Sequence, residues 1–295
     1  MTIIAGFESH EAEIDGQTIA YARGGAGPAV LLLHGFPQTH AMWHGVAPIL
    51  ARHFTVIAAD LRGYGDSGKP QGTDPYSFRH MAADQVGLMR QLGFDRFHLV
   101  GHDRGGRTAH RLALDHPDAV ASLTVMDIVP TQFLLADLTP EVAQAYYHWF
   151  FLAQPAPFPE SLIGHDPDAF HTACLLGWGG ASLKDFEPRA LDAYRRAWRD
   201  TDTIRGMCAD YRATLAIDLA LDTADLGRRV PCPALVMYGA GGTMARFYDV
   251  PETWRDRLSD MRAVAIPGGH FFVDEHPQET AEALLGFLRD THPDK

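Results

Sequence analysis

The stretch Phe97-His98-Leu99-Val100-Gly101-His102-Asp103-Arg104-Gly105-Gly106-Arg107 decides the fold. Phe97–Val100 is a short apolar run, which suits a strand covered on both faces. Arg104–Asp115 has helical spacing and is closed by His116-Pro117. Asp103 sits at the junction, with Gly101 and Gly105 two residues to either side. A tight strand-to-helix turn presses neighbouring backbones together, so it needs small residues there. Gly-x-nucleophile-x-Gly at such a junction presents the central side chain for chemistry. The competing role for Asp103 is a helix N-cap, which aspartate also favours.

Working outward, strands and helices alternate on both sides. Glu11–Ile14 and Gln17–Arg23 read as a hairpin around Asp15-Gly16. Ala29–Leu33, Phe54–Ala59 and Val120–Met126 read as buried strands, and Ser77–Leu92 as a helix ended by Gly93. The β-α-β-α order predicts an α/β fold with a mostly parallel sheet and helices on both faces. Between 131 and 228 no buried strand is expected. Aromatic-rich helices are expected instead, at Pro140–Leu152, Asp166–Leu176, Pro188–Trp198 and Thr203–Leu219. Alternation resumes with a strand at Ala234–Tyr238, a helix near Glu252–Leu258, a strand at Arg262–Ile266 and a final helix from Gln278 to Arg289. The chain thus reads as a core, 1–130 and 229–295, interrupted by a helical insertion, 131–228.

Composition narrows the function classes. The 295 residues are 46% hydrophobic, which excludes a disordered chain. There are 25 Lys+Arg against 37 Asp+Glu, a net charge of −12, which argues against nucleic acid as partner. No apolar run reaches the roughly 18 residues of a membrane span, so no membrane association is expected. The opening MTIIAGFESHEAEIDG lacks the basic start of a secretory signal. Cys174, Cys208 and Cys232 are odd in number and unpaired in spacing, which predicts free thiols and a cytoplasmic location.

Three further loops follow predicted strands. Leu33-His34-Gly35-Phe36-Pro37 follows the first buried strand and is placed to lend the Phe36 N–H to an oxyanion hole, with the Arg104 N–H as second donor. The His34 side chain itself reads as a turn histidine. Pro267-Gly268-Gly269-His270-Phe271-Phe272 follows the last strand and carries a histidine where a general base would reach the turn. Asp127 ends the strand Val120–Met126 and would orient His270, with Asp249 as the alternative acid. Two other patterns lead nowhere. Gly63-Tyr64-Gly65-Asp66-Ser67-Gly68 has dinucleotide spacing, but Lys69-Pro70 follows where a helix should start. His40 and His44 have metal-like i, i+4 spacing without a third ligand.

These motifs identify the chain as a member of the α/β-hydrolases with an aspartate nucleophile. HGFPQTHAMWH, DLRGYGDSGKP and GHDRGGRTAHRLALDHP resemble the fluoroacetate dehalogenases, near the epoxide hydrolases, over nearly the whole chain. The resemblance implies a helical cap over the core, no cofactor or metal, a small haloacid as substrate, and a homodimer. It implies that Arg104 and Arg107 hold the substrate carboxylate, for which arginine's planar, permanently charged fork is suited. It also implies that His148, Trp149 and Tyr211 donate to the departing halide, with Trp178 as a further pocket residue. Tyr147 with Tyr211 could instead protonate an epoxide, which is the alternative reading.

Overall fold

The computed structural model describes residues 2–178 and 180–291. Eight strands form one sheet: β1 (Glu8–Ile14), β2 (Gln17–Gly24), β3 (Ala29–Leu33), β4 (Thr55–Ala59), β5 (Phe97–His102), β6 (Val120–Met126), β7 (Val230–Gly239) and β8 (Leu258–Ile266). Their order is β1-β2-β4-β3-β5-β6-β7-β8. β1 and β2 pair antiparallel, as do β2 and β4; the pairs from β4 to β8 are parallel. Every residue of β3, β4, β5 and β6 is buried, because helices cover both faces. That is why these strands read as unbroken apolar runs rather than alternating ones. Truncating one of them, for example Leu31→Ala, would remove about 2–5 kcal/mol of stability through lost transfer energy and a cavity.

The expected strands are all present. β7 and β8 begin four residues earlier than their apolar centres suggested. Among the described residues from 127 to 229 there is no strand. The α-helices there are Thr131–Ala136, Pro140–Ala145, Tyr147–Leu152, Phe158–His165, Pro167–Gly177, Pro188–Trp198, Thr201–Ala213 and Leu219–Ala224, besides shorter turns.

Three expected helices differ. The helix expected near Glu252–Leu258 is Val250–Trp254, and Leu258 instead opens β8. Pro140–Leu152 is broken at Tyr146, whose φ of −105° and ψ of 29° leave the helical region. Thr203–Leu219 is interrupted by a π-helical turn, Thr214–Asp218, between α-helical pieces. The π turn inserts where two of its polar side chains reach the core, and such bulges recur at functional sites. Thr214 Oγ1 accepts from Arg104, and Asp218 Oδ1 accepts from the Phe78 N–H at 2.9 Å.

The helix Thr201–Ala213 lies tight against the loop after β4. A Cβ added at Gly206 would meet Gly63 Cα at 2.8 Å, so glycine is needed on both sides of that contact. Beside it, Arg205 donates to the carbonyls of Pro70 and Lys69, each at 2.8 Å. The Gly63–Gly68 segment is therefore a packed loop rather than a nucleotide cradle. Its Ser67 hydroxyl accepts from the Ala20 N–H and donates to the Asp60 carbonyl. No described helix is long and apolar enough to cross a membrane.

Candidate active site

Four loops at the carboxyl ends of β3, β5, β6 and β8 converge, which is where parallel sheets place ligand sites. Asp103 has φ 48° and ψ −115°, a strained backbone for a residue with a side chain, and makes no capping bond to the helix it precedes. The N-cap role is thereby set aside. The turn closes only because Gly101 and Gly105 lack side chains: a Cβ on Gly101 would sit 2.3 Å from the Gly105 carbonyl oxygen.

The Phe36 N–H donates to Asp103 Oδ1 at 2.9 Å. That leaves Oδ2 as the oxygen free to react, and it lies 3.9 Å from His270 Nε2. The distance is too long for a hydrogen bond, and Nε2 is buried with no protein partner. Asp103 and His270 are therefore not bonded to each other. Asp127, also at positive φ (50°), accepts from the Gly239 N–H with Oδ1 at 2.9 Å. Its Oδ2 holds His270 Nδ1 at 2.6 Å, so Nδ1 carries the proton and Nε2 faces the nucleophile as acceptor. Asp249 caps the helix Val250–Trp254 instead. His102 lies against His270, ring centroids 4.6 Å apart, and bonds the His270 carbonyl at 2.8 Å.

Electrostatics follow from burial set against neighbours. Burial raises the Asp103 carboxyl, but His270, His102, Arg104 and Arg107 outweigh it and hold the group below its ordinary range. Asp103 is thus ionised and needs no base to activate it. Burial lowers His270, but the Asp127 hydrogen bond and the charges of Asp127 and Asp103 raise it above 6.5 overall.

The two arginines are both buried but differently partnered. Arg104 is ion-paired to Asp210. Arg107 has no carboxylate partner among the described residues; Nη1 donates to the Val129 carbonyl and the Thr131 hydroxyl, both at 3.0 Å, and Nε has no partner. Burial, with the charge of Arg104, lowers it to about 10 despite Asp103. Trp149 lies under it, with the guanidinium carbon 4.6 Å from the ring centroid.

Trp149 and Tyr211, stacked on the arginines, stand together with His148. His148 Nδ1, Trp149 Nε1 and the Tyr211 hydroxyl are all buried without a protein partner. His148 stacks on Phe36 at 5.8 Å, and Tyr211 lies edge-on to His148 at 5.5 Å and to Trp149 at 5.7 Å. Burial holds the His148 imidazole far below 6.5, and so neutral, and holds the Tyr211 phenol far above 10, and so protonated. Trp178 donates to the Ala145 carbonyl at 3.1 Å, and its ring packs edge-on to His270 at 5.4 Å. It is a wall of the site rather than a free donor.

Tyr147 is a correction. It is 46% exposed, whereas Tyr146 is buried with an unpartnered hydroxyl near Asp127, Asp103 and Arg107. The helix break at Tyr146 turns that ring inward and its neighbour outward. Sequence reasoning also missed Asp210, whose only signal was an acid in the buried phase of an amphipathic helix. His34 is structural, its Nε2 accepting from the Leu61 N–H at 3.1 Å. His40 bonds Asp60 at 2.9 Å, and no metal-type cluster occurs among the described residues.

Residues 28–277 match the family model for the alpha/beta hydrolase fold. The chain is 55% identical to a fluoroacetate dehalogenase from Burkholderia sp over 97% of its length and 95% of the relative's. It is 32% identical to a soluble epoxide hydrolase from Corynebacterium sp. (strain C12), covering 95% and 96%. Among solved structures, CorEH, an epoxide hydrolase without ligand, superposes with a TM-score of 0.88 at 31% identity, covering 97% of this chain and 100% of that one. With a strand-to-helix turn at Asp103, the Phe36 loop and an Asp–His pair gathered at the carboxyl ends of the parallel strands, and with residues 28–277 matching its model, the chain belongs to the α/β-hydrolase family.

Proposed function

We propose that the protein hydrolyses the carbon–halogen bond of a short 2-haloacid, fluoroacetate or chloroacetate, to glycolate and halide. The observation that carries this is Arg107, a buried cation without a carboxylate partner among the described residues, close enough to Asp103 for their charges to interact. A buried uncompensated charge is costly, and an anionic substrate relieves it. A neutral epoxide would leave it in place.

In this reading, Arg104 and Arg107 bind the substrate carboxylate and set the α-carbon against Asp103 Oδ2. Oδ2 attacks from the side opposite the halogen; the C–O bond forms, and the halogen leaves with the bonding pair. His148, Trp149 and Tyr211 donate to it as charge builds. Preorganised donors of this kind are worth about 2.7–4 kcal/mol each. The result is an ester on Asp103. His270 Nε2 then takes a proton from water, and the hydroxide attacks Cγ of Asp103. The oxyanion forms on Oδ1, where the Phe36 N–H already points. The Arg104 N–H, free at the first position of its helix, is the second donor. Collapse breaks the Cγ–O bond to glycolate, whose oxygen takes the proton of the added hydroxyl as the carboxylate is restored, and His270 releases its proton to water. Esterification also removes the Asp103 charge, one cause of the raised His270 pKa. The imidazole thus yields its proton more readily at the step where it must be neutral.

Residues 131–228 act as a cap that closes the pocket over the core, 1–130 and 229–295. The reading includes a cytoplasmic location, supported by three buried free thiols, and a homodimer, supported by the family resemblance. The test is halide release from fluoroacetate and chloroacetate, beside diol formation from styrene oxide, for the wild type and Asp103→Ala. Halide release that the variant loses supports the reading. Diol formation without halide from either acid replaces it with epoxide hydrolysis.

A further inference from the structure

We propose that Asp210 is the positioning residue of the carboxylate site: it occupies one edge of the Arg104 guanidinium and cancels its charge, so Arg104 offers substrate a single directed nitrogen while Arg107 supplies the net charge. This rests on the reading of the two arginines given above.

An arginine carries five N–H donors, one on Nε and two on each Nη. Arg104 Nε donates to Asp210 Oδ2 at 2.9 Å. Arg104 Nη2 donates to Asp210 Oδ1, to the Asp210 carbonyl at 3.1 Å and to Thr214 Oγ1 at 2.5 Å. Tyr64 from the core donates to Asp210 Oδ2 at 2.7 Å and fixes the carboxylate from behind. Arg104, Asp210, Tyr64 and Thr214 are fully buried. The guanidinium plane is clamped by the rings of Tyr211 at 4.3 Å and Phe78 at 4.6 Å. Among the described residues, Nη1 alone of its nitrogens is left without a partner.

Two consequences follow. Arg104 cannot grip a carboxylate with the two-nitrogen edge formed by Nε and Nη2, because Asp210 already fills it. Its charge is also balanced within the same contact, whereas that of Arg107 is not. A site with two uncompensated cations would hold any short carboxylate, product included, more tightly. It would also stabilise the Asp103 anion and weaken it as a nucleophile. Asp210 therefore trades ground-state grip for reactivity, and the two effects must move in opposite directions when its charge is removed. Loss of structure alone would move them together.

The experiment is isothermal titration with acetate at low ionic strength, plus kcat and KM for chloroacetate, on the full chain. Asp210→Asn is expected to tighten acetate about 5-fold or more and to lower kcat about 10-fold or more, since removing one charge of a buried pair changes both terms. Thr214→Val keeps the ion pair but loosens the edge, and is expected to raise KM by a larger factor than it lowers kcat. Acetate binding in Asp210→Asn that is weakened or within about 2-fold of wild type overturns the proposal. If Asp210→Asn does not fold, an unchanged KM in Thr214→Val overturns it. If the wild type binds acetate but releases no halide, the proposed reaction fails while the acetate comparison still decides the role of Asp210. If it binds no acetate, both fail.

Discussion

Tyr211→Phe removes one oxygen and keeps the ring that packs against Phe36, His148, Trp149 and Arg104. The hydroxyl has no protein partner and is buried, and burial keeps it protonated. It is therefore a donor held in place before any halide exists. As one of three such donors, its loss should cost about 2.7–4 kcal/mol in the step that expels fluoride, roughly 10²–10³ in kcat. Fluoride concentrates charge on a small ion and depends on hydrogen bonds more than chloride does, so chloroacetate should lose less than 10-fold, well under the ~2.7 kcal/mol scale. KM should change little, because the arginines are untouched. The same hydroxyl is a cost to the folded state of about 1–3 kcal/mol when left unsatisfied. The phenylalanine variant should then melt higher while working more slowly. Steady-state halide release from both acids and a thermal melt test all of this. Equal losses on the two substrates, or a variant that melts lower, would refute the argument that Tyr211 serves as a dedicated fluoride donor.

His270→Ala should release one equivalent of halide and stop, with Asp103 carrying a carboxymethyl ester detectable by mass spectrometry; sustained turnover would remove His270 from ester hydrolysis. The pH profile should separate the two steps. Asp103 stays ionised well below neutrality, so the halide burst should persist in mild acid. Ester hydrolysis needs neutral His270 and should fall as pH drops through its pKa, which in the ester lies lower than in the resting enzyme, where Asp103 helps raise it. Rapid-quench measurements across pH would show this, and a burst that fades together with kcat would contradict it. Tyr147→Phe should leave kcat/KM within about 2-fold, as surface changes do, whereas Tyr146→Phe should lower it; the reverse ranking would return Tyr147 to the pocket.

Those outcomes bear on what the sequence could reveal. The parallel strands were legible because burial on both faces makes them continuous apolar runs. Asp103, Asp127 and the Phe36 loop were legible because each follows such a strand, whereas His270 follows the largely exposed strand β8 and was marked by its Gly268-Gly269 loop and its place in the chain order. The helical segment was harder to read. Short helices broken at Tyr146 and bulged at Thr214–Asp218 depend on tertiary contacts, not on periodicity. The Tyr146–Tyr147 choice turned on one backbone angle. The Arg104–Asp210 pair joins residues 106 apart, and nothing local to either marks it.

The bare backbone contact between Gly63 and Gly206 also fixes one flank of the site. No side chain lies between the two strands of chain there, so no change of rotamer lets them slide. With Arg205 tied to the neighbouring carbonyls, this flank is fastened to the loop after β4. Tyr64, next to Gly63, donates to Asp210, which lies one turn beyond Gly206 on the same helix, so the seam that joins helix to core also fixes the Arg104–Asp210 clasp.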